Sequence, residues 1–406
     1  MSPVITINPM TRIEGHAAVS LVTDEDGIIR EASCASMTLV RGFEYLLRGR
    51  GPDFAIKVVQ RICGICPIPH GLACAEAVEH AVGVDIPAEA HRLRELLLLG
   101  DRLHSHALHQ YLLAGDLPLS DEARAAYRAR LQDIRSAAQS IADIVGGEAI
   151  HPSNIVSGGM HTHISTRAAA HLYRAMRACE PLVQAHRDDF VAALEAWHEA
   201  CAHPLLPFEG PMLATDMHYG NRDGLDLSAI SERTPSRVYP PGHPSRETST
   251  TVPYYYGEPV ETGPRARLAT FKGYRGATPL SLNVARAREM AIFVFRALEI
   301  LDELDACRPV RTAAPLGAGS GTGVIEAPRG TDVHMVTLNG EGIITDYAII
   351  APTTWNMPVI ERALVGNHAD VAPMIVRSFD PCIDCATHCL ERRDLDGTVR
   401  ERRRIT

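Results

Sequence analysis

The chain has 406 residues and a formal net charge of −9, with 46% hydrophobic and 22% charged residues. That balance supplies a sizeable core and excludes disordered, collagen-like and low-complexity classes. It also disfavours a nucleic-acid partner, because neutralising phosphates needs clustered Lys and Arg in excess. No apolar run reaches the roughly 20 residues of a transmembrane segment, and the opening MSPVITINPM lacks a signal-peptide pattern. Ten cysteines in a chain of this length point to reduced thiols in a cytoplasmic setting, where paired cysteines serve as metal ligands or catalysts.

In chain order, Val4–Ile7 alternates, Ala17–Val22 is apolar and β-branched, and Asp24-Glu25-Asp26-Gly27 turns the chain into Ile28–Ser33, which predicts a hairpin. From Pro52 the period becomes helical. Phe54, Ile56, Val58, Val59 and Ile62 share a face that stops at Cys63-Gly64, and a helix resumes over Gly71–Val82. Long helices fit 87–114, 121–146 and 165–201 and pack as a bundle, the third kinked or broken at Pro181. Prolines at 204, 207, 211, 235, 240, 241, 244 and 253 make the following stretch irregular, with short strands. A helix fits 282–306, a hairpin Asp332–Ile350 turning at Asn339-Gly340, and short helices 358–365 and 369–378.

Two Cys-x-x-Cys pairs carry the chemistry: Cys63-Gly64-Ile65-Cys66 and Cys382-Ile383-Asp384-Cys385. Two pairs suggest a four-thiolate metal site. Structural zinc sites draw both pairs from one small module, about 15–20 residues apart, whereas these lie near opposite ends of the chain. The pairs alone leave open a structural zinc, a catalytic metal site, or no shared site.

The flanks, Arg61-Ile62-Cys63 through Cys66-Pro67-Ile68-Pro69-His70 and Asp380-Pro381-Cys382 through Cys385-Ala386-Thr387-His388, resemble the two signatures of the [NiFe] hydrogenase large subunit. Supporting blocks include Thr11-Arg12-Ile13-Glu14-Gly15-His16, Arg41-Gly42-Phe43-Glu44, Glu326-Ala327-Pro328-Arg329-Gly330 and Pro352-Thr353-Thr354-Trp355-Asn356, so the resemblance spans residues 4 to 388. Residues 147–154 and 260–272 make the chain most similar to the branch that reduces coenzyme F420.

The resemblance implies an α+β fold, with a central long-helix bundle and β-rich N-terminal and C-terminal portions meeting at a buried metal site. Its regions are a β-rich 1–50, then 51–203 with the first pair and the bundle. An irregular 204–281 precedes 282–388, which holds a helix, the hairpin and the second pair; 389–406 is an extension. Cys63 and Cys382 would bind nickel terminally, and Cys66 and Cys385 would bridge it to an iron carrying CO and cyanide. Four thiolates offset the charge of Ni(II) and Fe(II), and soft sulfur suits both.

His70 would donate an N–H to the Cys385 sulfur. Pro328, Arg329 and Thr353 fall on cofactor-binding positions, Arg329 over the metals and Thr353 toward cyanide, with Asp380 orienting Arg329. Glu14 would carry protons outward from Cys382. Glu44 and His388 would hold Mg²⁺ or a similar ion. Cys34, Cys74, Cys179, Cys201 and Cys307 read as buried small hydrophobes. No iron–sulfur motif remains, so electrons would leave through an iron–sulfur small subunit and then an FAD-bearing, F420-binding subunit. A mature family member stops at the position of His388, which marks 389–406 as a segment for a maturation endopeptidase. The alternatives are a relative linked to another acceptor (F420-non-reducing or NAD(P)-linked) and, in a different class, a non-catalytic scaffold subunit of the respiratory-complex type. The four cysteines argue against the scaffold.

Overall fold

The computed structural model describes residues 3–38, 41–233 and 251–387. It opens with an antiparallel sheet of β1 (Val4–Ile7), β2 (Ala17–Thr23) and β3 (Ile29–Ser36). The Asp24 carboxylate accepts from the backbone N–H groups of Asp26 and Ile28, closing the β2–β3 turn. Two short helices follow, α1 (Phe43–Leu47) and α2 (Pro52–Val59), the second extended by a tight turn at Gln60–Ile62. The buried face of that segment is Ala55, Ile56, Val59 and Ile62. Phe54, expected on it, is exposed, with the Arg50 guanidinium 5.3 Å from its ring centre.

Helix α3 (Pro67–Val82) starts directly after Cys66, earlier than the apolar period indicates. Prolines within its first turn pre-set φ where no N–H is needed. The bundle is α4 (Ala88–Leu113), α5 (Asp121–Ile141) and α6 (Thr166–Ala200), joined later by a fourth long helix over Leu280–Glu303. Ser120 and Ser165 cap α5 and α6, each Oγ accepting from the N–H three residues on. Of the kink or break expected at Pro181, the break does not occur, and the helix runs through it. Pro181 is exposed, so water can satisfy the carbonyl it frees.

Between α5 and α6 lies the small hairpin β4 (Ile155–Val156) and β5 (Gly159–Met160). The irregular stretch holds β6 (Met212–Leu213), parallel to β9 (Glu261–Thr262), and β7 (Ile230–Arg233), antiparallel to β8 (Val252–Tyr255). Four of its prolines, at 235, 240, 241 and 244, lie outside the described residues. Helices α7 (Pro264–Lys272) and α8 (Leu280–Glu303) lead to a second antiparallel sheet of β10 (Gly319–Ala327), β11 (Gly330–Leu338) and β12 (Ile344–Ile350). The expected hairpin is β11–β12, turned at Asn339, whose Oδ1 accepts from the N–H groups of Glu341 and Ile343. Helix α9 (Pro352–Leu364) begins six residues before the expected 358 and contains Pro358 internally; α10 (Ala372–Phe379) ends the fold before the second cysteine pair.

Strand β10 is absent from the periodicity reading, because Gly317, Gly319, Gly321 and Gly323 look like loop. Those glycines are a packing device. A Cβ at Gly319, Gly321 or Gly323 would run into the backbone of Ala81, Ala77 or Ala73 on α3. Every second strand residue advances about 6.7 Å and every fourth helix residue about 6.0 Å, so the two rows stay in step over three contacts. Helix and strand thus meet backbone to backbone. The helix carries Cys66 at its head, and the turn after the strand carries Arg329.

Candidate metal centre

Each cysteine pair sits where regular structure ends. Cys63 is extended after the tight turn, and Cys66 stands at the N-cap of α3. Past α10, Asp380 adopts a left-handed conformation (φ 52°), reversing the chain into Cys382, and Cys385 lies in a short 3₁₀ turn over Asp384–Thr387. Arg41 staples the two segments, donating through Nη2 to the carbonyls of Ile62 and Asp384, each one residue ahead of a cysteine.

The four Sγ atoms converge within 4.8 Å of one another, and all four residues are buried. Cys63 lies 3.3 Å from Cys382, Cys66 3.5 Å from Cys385, and Cys382 2.9 Å from Cys385. Hydrogen bonds from Cys382, Cys385 and Cys66 hold the Cys63 thiol well below its usual range. Burial drives Cys382 and Cys385 far above theirs. At Cys66, bonds from Cys382 and Cys385 favour the thiolate, but its bond to Cys63, burial and the Cys63 charge leave it at about 11. Burial and mutual repulsion thus oppose ionising all four sulfurs together. A metal that displaces the remaining protons resolves the cluster, and soft sulfur donors fit nickel and iron.

A small cavity opens on Cys66, Cys382 and Cys385, and Cys63 is not in its wall. Pro69, Ala327, Pro328 and Pro352 give it rigid apolar sides, while His70, Arg329 and Thr353 supply its polar groups. Arg329 donates from Nε to the Asp380 carbonyl at 2.6 Å and from Nη2 to its carboxylate at 3.1 Å, with Ser105 Oγ 3.3 Å from Nη1. Although burial opposes ionisation, Arg329 and His109 hold the Asp380 carboxyl well below the usual carboxylate range. The Thr353 hydroxyl accepts from Cys382 N–H at 2.9 Å, leaving its own proton to donate. Glu14 Oε2 lies 2.9 Å from Cys382 Sγ; burial and the Cys63 charge raise its carboxyl to about 7.

His70 Nε2 lies 3.5 Å from Cys385 Sγ. Buried Glu44 accepts from Ile349 N–H at 2.6 Å. His388 and the 389–406 extension, with Cys389, lie outside the described residues. Of the other cysteines, 34, 74 and 179 are buried as expected, Cys201 is half-buried, and Cys307 is exposed, contrary to its reading as a core residue.

The sequence reading missed Asp101, Asp332 and His334 around the centre. Asp101 on α4 is buried, and burial with the Cys63 charge keeps its carboxyl far above the usual range. His109 Nδ1 stands 3.1 Å from Asp380. Asp332 and His334 on β11 stand beside His70. For Asp101 the available signal was its place on the same helix face as Ser105 and His109.

The coenzyme F420 hydrogenase α subunit of Methanocaldococcus jannaschii is 40% identical over 405 residues, covering 99% of this chain and 98% of its own. The chain belongs to the nickel-dependent hydrogenase large-subunit family. The family described as nickel-dependent hydrogenase matches residues 41–117 and 280–388, and one described as HoxL-like matches 4–35. The counterpart from Methanothermobacter thermautotrophicus is 38% identical over 98% of both chains. Among solved structures, an NAD+-reducing [NiFe]-hydrogenase in the H2-reduced state superposes with a TM-score of 0.76 at 28% identity, covering 95% of this chain and 100% of that one. The Ni-Fe-Se hydrogenase of D. vulgaris Hildenborough shares the fold, with a TM-score of 0.79 at 24% identity over 96% of this chain and 100% of that one. As a hydrogenase large subunit, the chain holds its Ni–Fe centre with the four-cysteine cluster that joins its two ends. Among the described residues no helix is long and apolar enough to cross a membrane.

Proposed function

We propose that this chain is the catalytic subunit of a cytoplasmic [NiFe] hydrogenase that splits H2 heterolytically and reversibly, and whose partners pass the electrons to coenzyme F420. The observation that carries the reading is the convergence of four buried Sγ atoms within 4.8 Å, beside the Arg329–Asp380 pair. Cys63, Cys66, Cys382 and Cys385 would hold the nickel and iron through their four thiolates. When bound, the Ni–Fe centre, with CO and cyanide on iron, polarises H2 and accepts its electrons.

The residues of the chain handle the rest. Cys382 receives the proton, and Glu14, 2.9 Å away, takes it onward, with a carboxyl near 7 that both gains and loses protons at neutral pH. Arg329 sets a fixed positive charge in a site with little water, where it acts more strongly than in bulk. Its guanidinium and the Thr353 hydroxyl would supply hydrogen bonds to the cyanides, while Pro328 and its apolar neighbours exclude water. His70 tunes the Cys385 sulfur. Glu44 would hold a hydrated Mg²⁺ together with His388, once an endopeptidase has removed 389–406.

The F420 assignment is supported by the names of the full-length relatives at 38–40% identity. An iron–sulfur small subunit and an FAD subunit carry the electrons to that acceptor. The test is metal analysis and infrared spectroscopy of the purified complex, followed by H2 oxidation with F420 or a nicotinamide. One nickel and one iron per chain, CO and cyanide bands and F420 reduction are expected. A single zinc without bands would overturn the catalytic reading. Nicotinamide reduction without F420 reduction would move the chain to the alternative acceptor class.

A further inference from the structure

Asp332 is fully buried on β11, two residues from His334, so both side chains point to the same face of the strand. That face meets the first turns of α3, where His70 sits. His70 Nδ1 lies 2.9 Å from Asp332 Oδ2 and 3.1 Å from His334 Nε2. His334 Nε2 is itself 3.5 Å from Asp332 Oδ2, and its Nδ1 is 2.7 Å from the Tyr347 hydroxyl. A buried carboxylate needs opposite charge close by. Among the described residues its ion-pair partners are these two imidazoles. Burial works against ionisation of Asp332, yet they outweigh it and hold the carboxyl well below its usual range. The same pairing outweighs burial at His70 and raises that imidazole.

The geometry has one consequence for the thiolates. Turning the His70 ring by half a revolution about Cβ–Cγ exchanges Nδ1 with Cδ2 and Nε2 with Cε1. Both edges would then present carbon, and the Nδ1 contacts to Asp332 and His334 and the Nε2 contact to Cys385 would be lost together. We propose that Asp332 is a positioning residue of the hydrogenase reaction: it locks the His70 ring, braced by His334, in the flip state that presents Nε2 to Cys385 Sγ. The inference rests on the hydrogenase reading for its effect on catalysis, and on the geometry alone for the ring. Asp332 does not itself line the cavity and meets that wall at His70, so its influence on the iron side of the centre passes through His70.

The test uses Asp332→Leu, which keeps the branched side chain and removes the carboxylate, and Asp332→Asn, which keeps one carbonyl oxygen, in the assembled complex. Asp332→Leu is expected to shift the CO and cyanide infrared bands by several wavenumbers and lower H2 oxidation about tenfold. KM for H2 and the nickel and iron content stay unchanged. Asp332→Asn restores most of the parent signature, and in a His70→Gln background Asp332→Leu adds no further shift. A crystal structure of Asp332→Leu should show the ring displaced from Cys385. If Asp332→Leu does not accumulate, Asp332→Ser, too short to reach Nδ1, is read in the same way.

Parent-like bands with an unmoved ring in the Leu or Ser variant overturn the proposal, as does a band shift that persists in the His70→Gln background. A further metal ion in the parent, lost on substituting Asp332, also overturns it and makes the triad a cation site. A parent without iron-bound CO and cyanide defeats the hydrogenase reading instead, and the ring position still decides the role of Asp332.

Discussion

Glu14 and Cys382 are joined twice. Their backbones pair as a parallel bridge, with Ile383 N–H donating to the Glu14 carbonyl at 3.0 Å, and their side chains meet at 2.9 Å. The backbone pairing fixes where the carboxylate stands, so its separation from sulfur does not depend on a rotamer alone. Glu14→Gln keeps that pairing and the side-chain shape but cannot cycle a proton. Metal content should stay near the parent's, while H2/D2 exchange falls on the order of 10²-fold or more. Exchange at the parent rate would show that protons leave by another route.

Arg329→Lys tests whether charge alone suffices. Lysine keeps the positive charge but cannot reproduce the fork that grips both the carbonyl and the carboxylate of Asp380. We expect turnover to fall on the order of 10²-fold, with the iron-bound cyanide bands displaced and the metals retained. Turnover within twofold of the parent would reduce the role of Arg329 to a point charge.

Gly321→Ala probes the contact between β10 and α3. The added methyl would meet the Ala77 carbonyl oxygen and the Ala81 backbone, neither of which can yield without moving α3. Overpacking of this kind costs about 1–3 kcal/mol or more. The thermal midpoint should fall by several degrees and nickel occupancy should drop with it. Gly340→Ala, where nothing lies within 4 Å of the added carbon, is the control and should leave both unchanged.

Acid should destabilise the protein before its ordinary exposed carboxylates protonate. Burial lowers His106 and His186 to about 3, and burial with the Arg135 charge lowers His104 to about 4. These rings stay neutral in the folded state, whereas the unfolded chain takes up protons below about 6.5. The unfolded state therefore binds more protons as pH falls, and stability is complete above about 6.5 and drains away toward 4. Thermal midpoints at pH 7.5, 6 and 5 should fall in that order, and His104→Gln should flatten the decline. An unchanged midpoint down to pH 5 would show that these rings are protonated in the folded protein.

The elements that announce themselves in the sequence are those whose side chains follow one period. The long helices and the β11–β12 hairpin fall close to their expected limits, and the two cysteine pairs, carried by their flanks, lead straight to the centre. What stays hidden depends on backbone approach or on partners distant in the chain. Strand β10 is disguised because glycines that exist to admit α3 look like loop. Asp332 is disguised because an aspartate in an alternating strand reads as a solvent-facing position, and its partner His70 lies 262 positions earlier in the sequence. Cys307 errs in the opposite direction: an unpaired cysteine reads as core, yet it follows α8 in an exposed turn where its N–H caps on Asp305.

The glycine–alanine mesh between β10 and α3 also bears on how the centre responds to heat. Most packed interfaces contain side chains that hop between rotamers as temperature rises, and the gap between elements loosens with them. This one has no side chain longer than a methyl on either row, so it has no rotamers to populate. The span from the head of α3 to the turn bearing Arg329 is set by bond lengths and by peptide groups resting on one another. It behaves as a ruler of nearly fixed length, and the interval between thiolate and guanidinium should hold steady up to the temperature at which the protein unfolds.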